Sequence, residues 1–232
     1  MVQNHLSRLA VPRSWTIKQR KGIKFITRPK TGPHSLETSI PLIIVLREML
    51  NQATTTREVK KILNDKKVLV DNKVRGDHKY PIGLMDTLSF PSINKYYRML
   101  MNKRGKFYLK DISKEESLLK PYKISKKNII NGKKIQLTFF DGKTKIVNDN
   151  SYKVGDTIVI NLENNEIKSH IKLQKGASVY LTNGRHIGTF HVVEEVKVSK
   201  DLQPNKITFK IDDKIVETPM NYAFPVDKKF VN

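Results

Sequence analysis

The sequence predicts an α+β, multidomain chain: a small helix–helix–hairpin module, then a β-rich central domain and a small terminal β-barrel. Three observations carry this prediction. Apolar residues between Leu42 and Leu63 recur at three- and four-residue spacing, the period of two short amphipathic helices. From about residue 106 the pattern changes to short β-prone runs, punctuated by Asn131-Gly132, Asp141-Gly142 and Gly155-Asp156. Residues 1–41 show neither period and hold Pro12, Gly22, Pro29, Gly32 and Pro33. The expected organisation is therefore a basic arm (1–41), the helix–hairpin module (42–105), the central domain (106–172) and the terminal barrel (173–232).

In the arm, Trp15, Ile17, Ile23, Phe25 and Ile26 lie between regularly spaced cations. This composition predicts an extended segment that orders on a partner. Next, Ser39 is placed to cap a first helix, with Pro41 in its first turn. Leu42, Ile43, Val45, Leu46, Met49 and Leu50 form its apolar face, and it ends near Asn51-Gln52-Ala53. Thr55-Thr56-Arg57-Glu58 is a capping box for a second helix, with Val59, Ile62 and Leu63 inward and Asn64-Asp65 as its stop. Lys66–Val70 reads as a strand with Val68 and Val70 on one side, and Asp71-Asn72 as a tight turn into Lys73-Val74-Arg75. The central runs are 107–109, 122–124, 134–140, 143–147, 157–162 and 167–173, with one short helix opening at Ser113-Lys114-Glu115-Glu116. Runs at 207–211, 215–216 and 222–226 complete a terminal sheet.

The charge points to the partner. The 232 residues include 44 Lys+Arg against 22 Asp+Glu, a net +22 with a pI near 10.0. Such an excess repels itself in the free chain, so it serves a partner of opposite sign. The net charge is +7 over residues 1–41, +7 over 42–105, +6 over 106–172 and +2 over 173–232. A membrane tag is one compact cluster beside an apolar anchor, whereas this charge is spread as a long polyanion requires. The absence of Cys excludes disulfides, thiolate metal sites and thiol catalysis. No run is long and apolar enough to span a bilayer, and the N-terminus lacks the apolar core of a signal peptide, so a soluble, intracellular protein is expected.

Candidate RNA-binding residues in the arm are Arg8, Arg13, Lys18, Arg20, Lys21, Lys24, Arg28 and Lys30. A basic rim on the helix–hairpin module adds Arg57, Lys61, Lys66, Lys67, Lys73, Arg75 and Lys79, and the terminal segment adds Arg185. A single helical Lys is ordinarily a solvated face; a set on one small unit is a phosphate-binding surface. No catalytic constellation emerges. The six His lack the spacing of a zinc hydrolase, and His186 and His191 read as loop residues rather than metal ligands. Glu115-Glu116, Glu194-Glu195 and Asp212-Asp213 are adjacent, and neighbours on a strand face opposite ways. Neither a phosphate loop nor a dinucleotide fingerprint is present. Phe139-Phe140 and Tyr96-Tyr97 are candidate stacking rings, with one ring of each pair expected in the core.

The helix pair and hairpin resemble the S-four RNA-binding domain, through Leu46, Leu50, Thr54-Thr55-x-Arg57-Glu58-Val59 and Val68-x-Val70-Asp71-Asn72-Lys73-Val74. Lys67 and Lys73 stand where that domain commonly has Gly. Lys175–Val192, with Gly176, Gly184 and Gly188, resembles the KOW motif of a small SH3-like barrel, with His191 in place of a further Gly. In this order the segments resemble the S-four-e family of small-subunit ribosomal proteins, in its archaeal-type form. The resemblance extends along the chain in His5-Leu6-x-Arg8-Leu9-Ala10-x-Pro12-x-x-Trp15, Gly32-Pro33-His34, Pro41-Leu42-Ile43-Ile44, Tyr80-Pro81-x-Gly83-x-Met85-Asp86 and Tyr152-Lys153-Val154-x-Asp156-Thr157-Ile158. It implies a non-enzymatic structural role without cofactor or metal. The implied partners are small-subunit rRNA and other small-subunit proteins, with no membrane contact and no homo-oligomer. Two alternatives remain: a non-ribosomal RNA-binding factor with S-four and KOW domains, or the accessory part of an RNA-modifying enzyme. The residues after 105 are too short and too β-fragmented for the catalytic domain the second requires.

Overall fold

The computed structural model describes residues 5–130, 132, 134–199, 203–211 and 214–231; Asn131 and the Asp212-Asp213 pair lie outside them. The chain forms two compact units, Met1–Lys120 and Pro121–Asn232.

In the first unit the arm is not a free extension. Leu6-Ser7 pairs antiparallel with Phe25-Ile26, and Leu6, Val11 and Trp15 enter the same apolar core as the helix pair. Trp15 is only 2% exposed, and the Phe107 N–H donates to the Ser14 carbonyl (2.9 Å). The expectation of ordering only on a partner is corrected by this burial: the arm's apolar residues are core residues of its own unit.

Ser39 also departs from its expected role. Ser39–Pro41 is a strand paired with Pro81–Gly83, and the Ser39 hydroxyl donates to the Ser35 carbonyl (2.7 Å). The first helix, α1, spans Leu42–Ile44 and continues as a wider π-type turn over Val45–Met49. There the Leu50 N–H reaches the Val45 carbonyl (2.9 Å). The second helix, α2, spans Thr56–Asn64, and its capping box is complete: the Glu58 N–H donates to the Thr55 hydroxyl (3.2 Å) while the Glu58 carboxylate accepts the Thr55 N–H (3.4 Å). Val59 and Leu63 are buried, as the helical period requires.

Asp71 and Asn72 take φ of 51° and 57°, the left-handed pair of a two-residue hairpin turn. The hairpin does not stand alone. It is the edge of a five-stranded sheet in the spatial order 73–74, 69–70, 87–90, 95–101 and 107–111. The expected boundary at 105–106 thus falls inside this sheet, where Met101 pairs with Phe107. A third helix, α3 (Lys114–Ser117), is capped by Ser113 and Glu116 as the sequence predicts.

The second unit is β-rich. One five-stranded sheet has the order 144–147, 135–139, 119–129, 157–161 and 167–171, around Tyr122, Ile124, Leu137, Phe139, Ile158 and Ile160. Two three-stranded sheets follow. The first joins 190–192, 178–181 and 223–225; the second joins 195–197, 206–211 and 214–219. Their core is Val179, Leu181, Val193, Ile207, Phe209 and Ala223. Gly176, Gly184 and Gly188 all adopt positive φ, which explains glycine at these loop positions.

Candidate nucleic-acid interface

The rim begins on α2. Because Val59 and Leu63 turn inward, Arg57 and Lys61 are left exposed. Lys66 closes the helix with φ of 56°, and Lys67 pairs with Asp65 (3.0 Å) at the surface. Lys73 is exposed on the return strand of the hairpin. The Arg75 guanidinium lies over the Tyr80 ring (4.3 Å), which fixes its plane against the module. Lys79 and Lys30 meet at Asp77: the Lys79 N–H donates to its carboxylate (2.9 Å) and the Lys30 ammonium pairs with it (2.6 Å). Burial alone raises the Asp77 carboxyl, yet these two donors hold it below the usual carboxylate range. One arm cation is thereby tied to the module's edge.

Other arm cations divide between framework and surface. Arg8 donates to the Gln19 carbonyl (2.8 Å) and faces Glu48 at 4.0 Å; Arg20 donates to the carbonyls of Leu9 (3.1 Å) and Val11 (3.4 Å). These bonds hold the arm's bend. The Lys18 N–H donates to Glu48 (2.9 Å) and its ammonium to the Asn51 amide oxygen. Lys24 lies over the Phe25 ring (5.5 Å). Arg13 and Lys21 are exposed, and Arg28 is half-buried. Arg185 is exposed in a loop of the second unit.

Residues 93–167 match the model of "Ribosomal family S4e", and residues 2–37 match that of the "RS4NT (NUC023) domain". The chain is 40% identical over 229 residues to "Small ribosomal subunit protein eS4" of Nanoarchaeum equitans, covering 99% of this chain and 97% of that protein. It is 40% identical over 228 residues to the protein of the same name from Methanocella arvoryzae, covering 98% and 96%. The chain belongs to the ribosomal S4e family. The crystal structure of the 30S ribosomal protein S4e from Thermoplasma acidophilum superimposes with a TM-score of 0.70 at 29% identity, over 82% of this chain and 95% of that one.

Two features of this S4e chain escape sequence reasoning. The first is a buried charge cluster. The Lys120 ammonium donates to Asp71 (2.6 Å) and Asp86 (2.5 Å), and the Asp86 carboxylate also meets the His34 Nε2 (3.0 Å) and accepts the Gly83 N–H (2.9 Å). A Cβ on Gly83 would lie 2.4 Å from the His34 ring, so only glycine admits this approach. Burial raises the Asp86 carboxyl, but His34 and Lys120 outweigh it and hold it far below its ordinary value. Nearby, fully buried Arg98 donates to the carbonyls of Glu116 (2.7 Å) and Leu119 (2.8 Å), and burial pushes its guanidinium down to about 10. The second feature is Arg47, on the π-type turn, which donates to the Thr56 hydroxyl (3.5 Å) and lines a hollow together with Arg8 and Lys18 of the arm. No local signal marks a π-type turn.

The loop histidines pack against a core ring. The His191 ring stacks on buried Phe209 (4.7 Å, 19°) and His186 meets the same ring edge-on (6.3 Å). Burial, then the neighbouring His186, holds His191 below the ordinary imidazole value. In each candidate stacking pair one ring is core, Phe139 and Tyr97 being buried while Phe140 is exposed and Tyr96 half-buried. Lys123 lines a cavity of about 490 Å3 in the second unit, donates to the Asn221 carbonyl (2.7 Å), and is pushed by burial down to about 8. Among the described residues no group of three His, Cys, Asp or Glu is placed to hold a metal, and no helix is long and apolar enough to cross a membrane.

Proposed function

We propose that this protein is a structural, non-enzymatic constituent of the small ribosomal subunit, binding its rRNA. One observation carries the reading: identity of 40% along nearly the full length of proteins named for that subunit. The net charge of +22 supports RNA as the partner. Other small-subunit proteins are the further partners, the ribosome places the protein in the cytoplasm, and neither a membrane nor a homo-oligomer enters the role.

In finer detail, the helix pair and hairpin act as an S-four-like module whose Arg57, Lys61, Lys66, Lys67 and Lys73 neutralise phosphates, and residues 173–232 act as a KOW-like barrel with Arg185 on its loop. The exposure of these cations and the positive φ of the three loop glycines support that assignment. The arm contributes through its exposed Arg13, Lys21 and Lys24. Sucrose-gradient sedimentation of lysate tests the role: the protein should co-migrate with small subunits through a moderate salt wash. Release into the light fractions would point instead to a transient RNA-binding factor.

A further inference from the structure

Two hollows meet where the arm crosses the π-type turn. One, of about 370 Å3, is walled by Arg8, Lys18, Lys21, Arg47 and Glu48. The other, of about 300 Å3, shares Arg8, Lys21 and Ile23 with it and extends to Lys24. Four cations against one carboxylate leave the first hollow at a net +3, and the Arg8 Nε is buried there without a hydrogen-bond partner. Arg47 and Lys21 make no ion pair among the described residues. At the rim of the hollows Ile23 is 76% and Leu9 64% exposed. Phe25, half exposed, is paired across the two-stranded ribbon with Ser7, which lines the second hollow, and its ring lies 5.3 Å from that of His5.

Cations set in a concavity beside exposed apolar side chains suit a particular form of nucleic acid. A duplex offers a convex backbone and hides its base faces, so it is met by a projecting rim such as Arg57 and Lys61. An unpaired nucleotide offers both a phosphate that enters a hollow and a base face that stacks on a ring. Hollows of this size fall within the ordinary range for small-ligand sites. We propose that the joined hollows bind one unpaired, splayed-out RNA nucleotide, its phosphate between Arg8, Lys21 and Arg47 and its base on Phe25. The proposal rests on the RNA-binding reading above and names the form of RNA that the arm takes.

The test titrates the full chain with two fluorescein-labelled RNA hairpins, one fully paired and one with a three-uridine bulge, from low to moderate salt. The unsubstituted protein should bind the bulged hairpin at least about fivefold more tightly, the value of one base–aromatic stack. Phe25→Ala should abolish that preference while leaving the paired hairpin within about twofold. Arg47→Gln should lower the log–log salt slope by about 0.7 on the bulged hairpin only. Arg57→Ala, on the rim, should weaken both hairpins alike. A melting curve accompanies each variant; if Phe25→Ala melts early, Phe25→Leu keeps apolar packing without the ring face and should lose the preference equally. Equal binding of both hairpins by the unsubstituted protein, with Arg57→Ala still weakening both, overturns the cleft and leaves the RNA reading intact. Failure to bind either hairpin at low salt overturns the RNA reading itself. Binding of a labelled oligoglutamate that Phe25→Ala abolishes, with no hairpin preference, assigns the cleft to an acidic protein segment and also overturns the proposal.

Discussion

The first unit uses the same cations in two opposite ways. On α2, Arg57 and Lys61 stand in solvent with their charge available to a partner. In the interior, Lys120 and Arg98 are fully buried, one held by two carboxylates and the other by backbone carbonyls. The difference teaches that charge count and binding surface are separate quantities. A buried cation is costly to desolvate and persists only because its partners are in place, so it belongs to the framework. A solvated cation adds little to stability and much to the attraction of a polyanion.

The strongest way to break this comparison is to remove a buried anion. Asp86→Asn should cost about 3–5 kcal/mol in urea unfolding, because buried Lys120 loses one of its two counter-charges and the carboxylate that meets the His34 ring is gone. A loss no larger than that of a surface variant would place the cluster on a par with the rim. The same residue predicts an acid limit. The Asp86 carboxyl lies below its ordinary 3.8 in the folded protein, so its stabilisation is complete above that value. It is lost as pH falls below about 4 toward the folded value. The unsubstituted protein should therefore lose stability over that range more steeply than Asp86→Asn, as followed by circular dichroism.

Trp15→Ala tests whether the arm is framework as well. Removing a ring that is 2% exposed should cost about 3–5 kcal/mol by leaving a cavity, and should expose the arm to protease in the free protein. Unchanged melting would mean that the arm docks without contributing to the core. Thr55→Ala should cost about 0.5–2 kcal/mol by freeing an amide at the start of α2, with no change in the salt dependence of RNA binding. Lys61→Ala is the opposite case. Its melting should shift by less than about 0.5 kcal/mol, while the log–log salt slope for RNA falls by roughly 0.7–0.9. A stability loss without a slope change would make Lys61 structural and break the comparison from the other side.

Much of the local structure is legible in the sequence. The capping boxes at Thr55 and Ser113 close within three residues, and the Asp71-Asn72 turn needs only two residues that tolerate positive φ. The rim was readable because the inward period of Val59 and Leu63 leaves Arg57 and Lys61 outside. At Ser39 a local cap signal loses to a remote strand: pairing to Gly83 buries it completely and starts the helix later. Strand 87–90 pairs with the hairpin and with 95–101, and 95–101 pairs in turn with 107–111, so these strands are fixed by the whole sheet and not by a local signal. Nor does the sequence distinguish Arg47, on the cleft wall, from any other helical arginine.

What the sequence determined by itself is whatever its neighbours within a few residues decide: helix caps, hairpin turns, the alternation of short strands, and a charge excess that demands a polyanion. The fate of the charges and rings outside such local periods was decided only by tertiary structure. Trp15 is core because Phe107 and the helix pair come to it from far along the chain, and Lys120 is framework because Asp71 and Asp86 converge on it. Burial depends on contacts between residues distant in sequence, and burial is what divides a lysine that holds the fold from one left in solvent with its charge exposed.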